Sequence, residues 1–259
     1  MKKFFVLFTL CLIVGFAFSQ SLRIGATPVP HAEILEYIQD DLQKNGIHLE
    51  IIVFNDYVLP NLALANGELD ANFFQHVPYL NQFTTERGIQ GLLALEPVHV
   101  EPMGFYSKKD LEELERGDTV VIPNDPTNEG RALLLLQANG LITLNESADL
   151  KATIREIAEN PKKLNFKEVE AGFIPRVYQT DKTVKAAVIN TNYAISAGLN
   201  PLEDAVFIEG EESPYSNIVV IKEEDRNKEW VEILQSSLRS EKVKKFIQKN
   251  YNGAVVPTF

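Results

Sequence analysis

Apolar and polar residues alternate over residues 21–27, the period-two signature of a half-buried strand, and Pro28-Val29-Pro30 ends it in a turn. Ala32, Leu35, Ile38 and Leu42 then recur at helical spacing, with Glu36, Gln39 and Asp40 on the polar side and Asn45-Gly46 as the stop. Residues 49–54 are rich in β-branched side chains, so a second strand follows. Together these complete a strand–helix–strand unit of the kind that builds parallel sheets through right-handed crossovers. Residues 58–69 read as a short helix, 71–74 as a strand, and 78–87 as a helix ended by Gly88. The chain is extended again over 98–106, and 108–116 is predicted as a short charged helix.

Residues 119–122 form an apolar strand leading into a turn-rich loop, 123–130, with an apolar helix expected from Arg131 to Ala138. A strand, a polar loop and a helix start in that order place ligands at the carboxyl end of a sheet. Residues 186–190 repeat the first part of this arrangement, a buried strand delivering a polar end. Strands at 205–208 and 217–221 and amphipathic helices at 228–238 and 241–251 close the chain. There is no internal repeat, low-complexity tract or Pro/Gly linker. Two lobes joined by two crossings account for this better than separate beads: residues 20–105 with 205–259 in one lobe, 106–204 in the other.

The N-terminus changes the compartment. Lys2 and Lys3 precede an uncharged apolar run over residues 4–18, and Ala17-Phe18-Ser19 offers small residues at cleavage spacing. Residues 1–19 are read as an export signal, too short to span a bilayer, with Gln20 as the new N-terminus. Cys11, the sole cysteine, sits mid-run behind Phe8-Thr9-Leu10, without the small residues expected before an acylated cysteine. It is therefore expected to leave with the signal, the alternative being a lipid anchor, and either outcome excludes disulfides. Loss of residues 1–19 takes the formal charge from −11 to −13, since two lysines go and no acid does. Such a surface repels nucleic acid and anionic membrane.

Five blocks carry a specific resemblance. They are Gly25-Ala-Thr-Pro-Val-Pro-His-Ala-Glu-Ile34, Phe54-Asn-Asp-Tyr-Val-Leu-Pro-Asn61, Asp70-Ala-Asn-Phe-Phe-Gln-His-Val-Pro-Tyr79, Ile122-Pro-Asn-Asp-Pro-Thr-Asn-Glu-Gly-Arg-Ala132 and Ile189-Asn-Thr-Asn-Tyr193. In order and across the mature chain, they resemble the methionine-binding lipoproteins of ABC importers. The resemblance implies an α/β, two-lobed type II periplasmic-binding-protein fold with two crossing segments and a ligand, methionine or a close relative, in the cleft. It also implies a permease and its ATPase subunits as partners, an extracytoplasmic location, and no catalysis. Nothing in the sequence demands an oligomer, and a monomer is expected.

An amino acid presents a carboxylate, an ammonium and a side chain. Arg131 suits the carboxylate, through two parallel charge-assisted hydrogen bonds and a place at the expected helix start. Asn190 and Asn217 each offer a donor and an acceptor without net charge, and both match ligand-contacting positions of the resembled family. Tyr57, Phe74, His76 and Tyr79 supply an apolar side for a thioether. Alternation sends Phe73 and Phe74 to opposite faces, and the family pattern selects Phe74 for the cleft, with His76 beside it and Phe73 in the core. The group that balances the ligand ammonium is not identified.

Histidines 31, 48, 76 and 99 show no pair at short ligand spacing, so neither a metal nor another cofactor is expected. An enzyme on the same fold, acting on a small amino or keto acid, is the rival reading. Asp125, Glu129 and His76 would be its candidate groups, but no nucleophile elbow or phosphate-cradling loop accompanies them. A chemoreceptor would share the binding site and differ only in partner.

Overall fold

A computed structural model describes residues 20–210 and 214–259. The expected export signal over 1–19, including Cys11, lies outside the described residues. The first lobe opens with β1 (Gln20–Ala26), and α1 (Glu33–Lys44) buries Ile34, Leu35, Ile38 and Leu42, the stripe its spacing predicts. Gly46, at φ 76°, makes the left-handed turn into β2 (Ile47–Val53), a conformation that costs glycine least. Then come α2 (Leu59–Ala65), β3 (Ala71–His76), α3 (Val77–Arg87) and β4 (Leu92–Val100).

The chain now crosses to β5 (Gly104–Ser107), β6 (Thr119–Pro123), α4 (Pro126–Ala138), and the short strands β7 (Thr143–Leu144) and β8 (Ile157–Glu159). After β9 (Asn165–Val169), α5 (Ile174–Thr180) and β10 (Val184–Ile189) come α6 (Thr191–Ser196), α7 (Pro201–Asp204) and β11 (Phe207–Ile208). It returns as β12 (Asn217–Lys222), α8 (Glu229–Leu238), α9 (Glu241–Tyr251) and β13 (Val256–Pro257).

One sheet has the order β13-β4-β12-β3-β1-β2 and the other β11-β5-β10-β6-β9. In each, parallel strands built by crossovers meet one antiparallel strand that has just arrived from the other lobe. That strand is β12 beside β3 in the first sheet and β5 beside β10 in the second. The two crossings are bonded to each other, Glu209 N–H donating to the Met103 carbonyl at 2.9 Å. Each lobe has its own core. Leu22, Ile24, Leu35 and Ile38 pack with Trp230, Leu234 and Ile247 of the returning helices, whereas Phe105, Val120, Leu133, Leu136 and Val188 fill the second lobe. Complete burial of each such side chain stabilises by about 1.5–3 kcal/mol.

Three local expectations change. The helix expected over 108–116 is only a turn at Leu111–Glu113. The Asp118 carboxylate draws the segment around itself, accepting from Glu115 N at 3.1 Å and Lys109 Nζ at 2.8 Å, while extended Leu114 is buried in the core. The single extended run over 98–106 is two strands in different sheets. Helix α4 starts at Pro126, not Arg131, because Asp125 caps it by accepting the Asn128 N–H at 3.0 Å and proline needs no donor in the first turn. Arg131 thus lies inside the helix, away from the free N–H groups of its start. Gly130 is helical too. A Cβ there would stand 2.5 Å from the Leu150 carbonyl oxygen, so glycine admits that strand of chain.

Candidate ligand-binding site

β-Register assembles the first-lobe wall. Asn217, the first residue of β12, pairs with His76 at the end of β3 on one side and with His99 of β4 on the other. Phe74 and His76 share a face of β3, and Tyr79 stands in the first turn of α3, where its N–H donates to His76 Nδ1 at 3.1 Å. Tyr57 comes from the loop after β2. From the second lobe, α4 contributes Asn128 and Arg131, and the start of α6 contributes Asn190, Thr191 and Asn192. These residues, with Gln75 and Glu101, line one narrow interlobe cavity.

All seven residues expected at a ligand site, Tyr57, Phe74, His76, Tyr79, Arg131, Asn190 and Asn217, are on its walls. Phe73 faces the other way and is fully buried, its ring edge-on to His31 at 4.6 Å. Tyr57, Phe74 and Tyr79 form a cluster with centroids 5.8–6.0 Å apart. Of the groups considered for catalysis, Asp125 is spent on the helix cap and Glu129 accepts the Ile154 N–H at 2.9 Å. Only His76 reaches the cavity.

The polar wall is specific in what it leaves open. Arg131 is 3% exposed and presents Nε and Nη2 to the Glu209 carboxylate at 2.8 and 2.5 Å, while Nη2 also donates to the Glu101 carbonyl at 2.7 Å. Burial opposes its charge, but the attraction and hydrogen bonds of Glu209 together hold its pKa above the ordinary value. The two-pronged edge expected to meet a ligand carboxylate therefore already grips Glu209, and Nη1 is the edge left. Asn190 gives Nδ2 to Asn128 Oδ1 at 3.0 Å, and its own Oδ1 has no partner among the described residues. Asn192 accepts from Tyr57 OH at 2.6 Å, and its Nδ2 is likewise unpaired. One buried acceptor and one buried donor thus await partners in the same cavity, a costly state without a ligand.

Burial lowers the His76 pKa to about 3, with Arg131 adding to the effect, and the ring is neutral. At the cavity wall, Glu101 accepts from His99 Nε2 at 2.8 Å and lies 3.2 Å from His31 Nε2, which itself donates to Asn217 Oδ1 at 3.1 Å. Burial takes His31 down to about 4 and His99 to about 3, and raises Glu101. Spacing along the chain conceals this cluster, because His31 and His99 come from distant elements.

The sequence model of the NlpA lipoprotein family matches residues 22–259. The chain belongs to this family. It is 44% identical over 227 residues to the D-methionine-binding lipoprotein MetQ of Escherichia coli strain K12, covering 87% of this chain and 82% of the relative. To the methionine-binding lipoprotein MetQ of Bacillus subtilis strain 168 it is 40% identical over 242 residues, 92% of this chain and 88% of that one. A nutrient binding protein from Burkholderia cenocepacia, solved bound to methionine, superposes with a TM-score of 0.87 at 42% identity, over 92% of this chain and all of that one. These matches establish the α/β two-lobed periplasmic-binding fold of the NlpA family here. Among the described residues no helix is long and apolar enough to cross a membrane.

Sequence reasoning missed Glu101, Asn192 and Glu209. Asn192 lies inside the quoted Ile189–Tyr193 block and was within reach of it. Glu101 and Glu209 carry no local signal, since each acquires its role only where the crossings meet.

Proposed function

We propose that this chain is an exported receptor of an ABC importer that binds methionine between its lobes and delivers it to the permease. One observation carries the reading: a narrow interlobe cavity offers an unpaired amide oxygen, an unpaired amide N–H group and buried charges alongside a cluster of three aromatic rings. A zwitterion needs both polar kinds, and a thioether gains about 0.3–1.5 kcal/mol from each aromatic contact. The named roles of the relatives support binding rather than catalysis. Tyr57, Phe74, His76, Tyr79 and Asn217 act from the first lobe and Arg131 and Asn190 from the second, so a ligand that touches both favours closure.

Native mass spectrometry of protein purified without added ligand, followed by calorimetry with L-methionine, tests this. The expected result is a retained mass equal to methionine and saturable binding that Arg131→Ala weakens by on the order of 100-fold, since the change also strands Glu209. Absence of both the retained mass and a binding heat refutes the reading.

A further inference from the structure

We propose that Glu101, positioned by His99 and the Asn192 N–H, is the counter-charge for the ligand's α-ammonium, so that the site selects free amino acids over analogues lacking the amine. The inference rests on the amino-acid reading above and supplies the group it lacks. Glu101 follows β4 at the first crossing, is 6% exposed, and borders the cavity. Its Oε2 accepts the Asn192 N–H at 3.0 Å, and its Oε1 faces His99 Nε2 at 2.8 Å and His31 Nε2 at 3.2 Å.

The hydrogen-bond inventory sets the protonation of this group. His31 Nδ1 lies 2.7 Å from the Thr27 hydroxyl, which can donate to it and leave Nε2 as the N–H. His99 Nδ1 has no partner among the described residues, and an unpaired lone pair is tolerated better inside a protein than an unpaired N–H. Both rings are therefore neutral: His99 Nε2–H donates to Glu101, while His31 Nε2–H donates to Asn217 Oδ1 at 3.1 Å and passes 3.2 Å from Glu101 Oε1. Two neutral donors, His99 Nε2–H and the Asn192 N–H, occupy two of the roughly four lone-pair sites of the Glu101 carboxylate and supply no compensating charge. The nearest cation, Arg131, directs its two-pronged edge to Glu209 and meets Glu101 only at the backbone carbonyl. Arg131 is paired with Glu209 and reaches the Glu101 carboxylate only through space, so that carboxylate stands buried at the cavity wall with no lysine or arginine ion pair of its own among the described residues. An ammonium placed there, within reach of the open Asn190 Oδ1, completes both.

The test compares L-methionine with 4-(methylthio)butanoate, the same molecule without its amine, by calorimetry on wild type, Glu101→Gln and Glu209→Gln. Wild type is expected to prefer methionine by on the order of 100-fold, and Glu101→Gln to reduce that preference to within about tenfold while changing affinity for the amine-free analogue little. Equal binding of the two ligands by wild type overturns the proposal without recourse to any variant. So does a parallel loss of both ligands in Glu101→Gln, or a preference that collapses in Glu209→Gln and survives in Glu101→Gln. Methionine binding that a chelator abolishes and zinc restores would make the two histidines and Glu101 a metal site instead, and overturns it too. Failure of wild type to bind methionine at all sinks the receptor reading itself, a distinct result.

Discussion

Replacing Gly172 by alanine is expected to separate closure of the cleft from folding of the lobes. Gly172 lies in the short turn Ala171–Phe173 ahead of α5, in the second lobe, and a Cβ there would stand 2.9 Å from the Asn55 carbonyl oxygen of the first lobe. That obstacle is backbone and has no rotamer to escape into. The same Cβ would lie 3.5 Å from the Tyr193 hydroxyl, which donates to Asn55 O at 3.3 Å across the cleft. Overpacking of this kind costs about 1–3 kcal/mol. Because the contact exists only when the lobes meet, the cost falls on the closed, ligand-holding state and raises the apparent Kd roughly 5- to 150-fold. Calorimetry with L-methionine would measure it, with thermal unfolding of the ligand-free protein as control. Alanine needs no left-handed backbone at this position, so ligand-free stability is expected to stay within about 0.5 kcal/mol of wild type. Wild-type affinity in both Gly172→Ala and Gly172→Val would refute the assignment of this contact to closure. So would a loss of ligand-free stability as large as the loss in binding.

Two ionisation effects give further predictions. Burial depresses His76 to about 3, against 6.5 for a free imidazole, so its contribution to stability is complete above about pH 6.5 and is lost as pH falls towards 3. Relative to His76→Gln, wild type should lose about 2 kcal/mol between pH 6.5 and 5 in urea unfolding, and a pH-independent difference would contradict this. Glu129 moves the opposite way: burial, with Glu168 adding like charge, raises it to about 7, so its contribution is present below about pH 4.5 and disappears as pH rises through 7. Glu129→Gln can keep the hydrogen bond from Ile154 N and is expected to melt a few degrees above wild type at pH 8 but level with it near pH 5. Equal melting points at both values would count against the shift.

The local pattern alone determined most of the elements and much of the apolar wall. The spacing of Leu35, Ile38 and Leu42 specifies the buried stripe of α1, because a helix in water must turn one face inward. Strand alternation separates Phe73 from Phe74 for an equally local reason: neighbouring side chains leave a strand on opposite sides. Five blocks that resemble a known family then pointed to six of the seven cavity residues, and the same resemblance to Asn217. Where Asp125-Pro126 was passed over as loop, the capping signal was present and was outweighed by turn-forming neighbours.

Tertiary structure alone decided the charges. Local sequence leaves the whole Arg131 fork to a ligand carboxylate, whereas Glu209 of the second crossing takes its Nε and Nη2 edge. His31, His99 and Glu101 form a cluster because β4 delivers two of them beside the loop after β1, and Asn217 sits between His76 and His99 through antiparallel register. Local periodicity reports which face of an element is buried, since burial acts over a few residues. Which polar groups meet inside is set by strand order and register between distant segments, and those pairings leave no periodic trace along the chain.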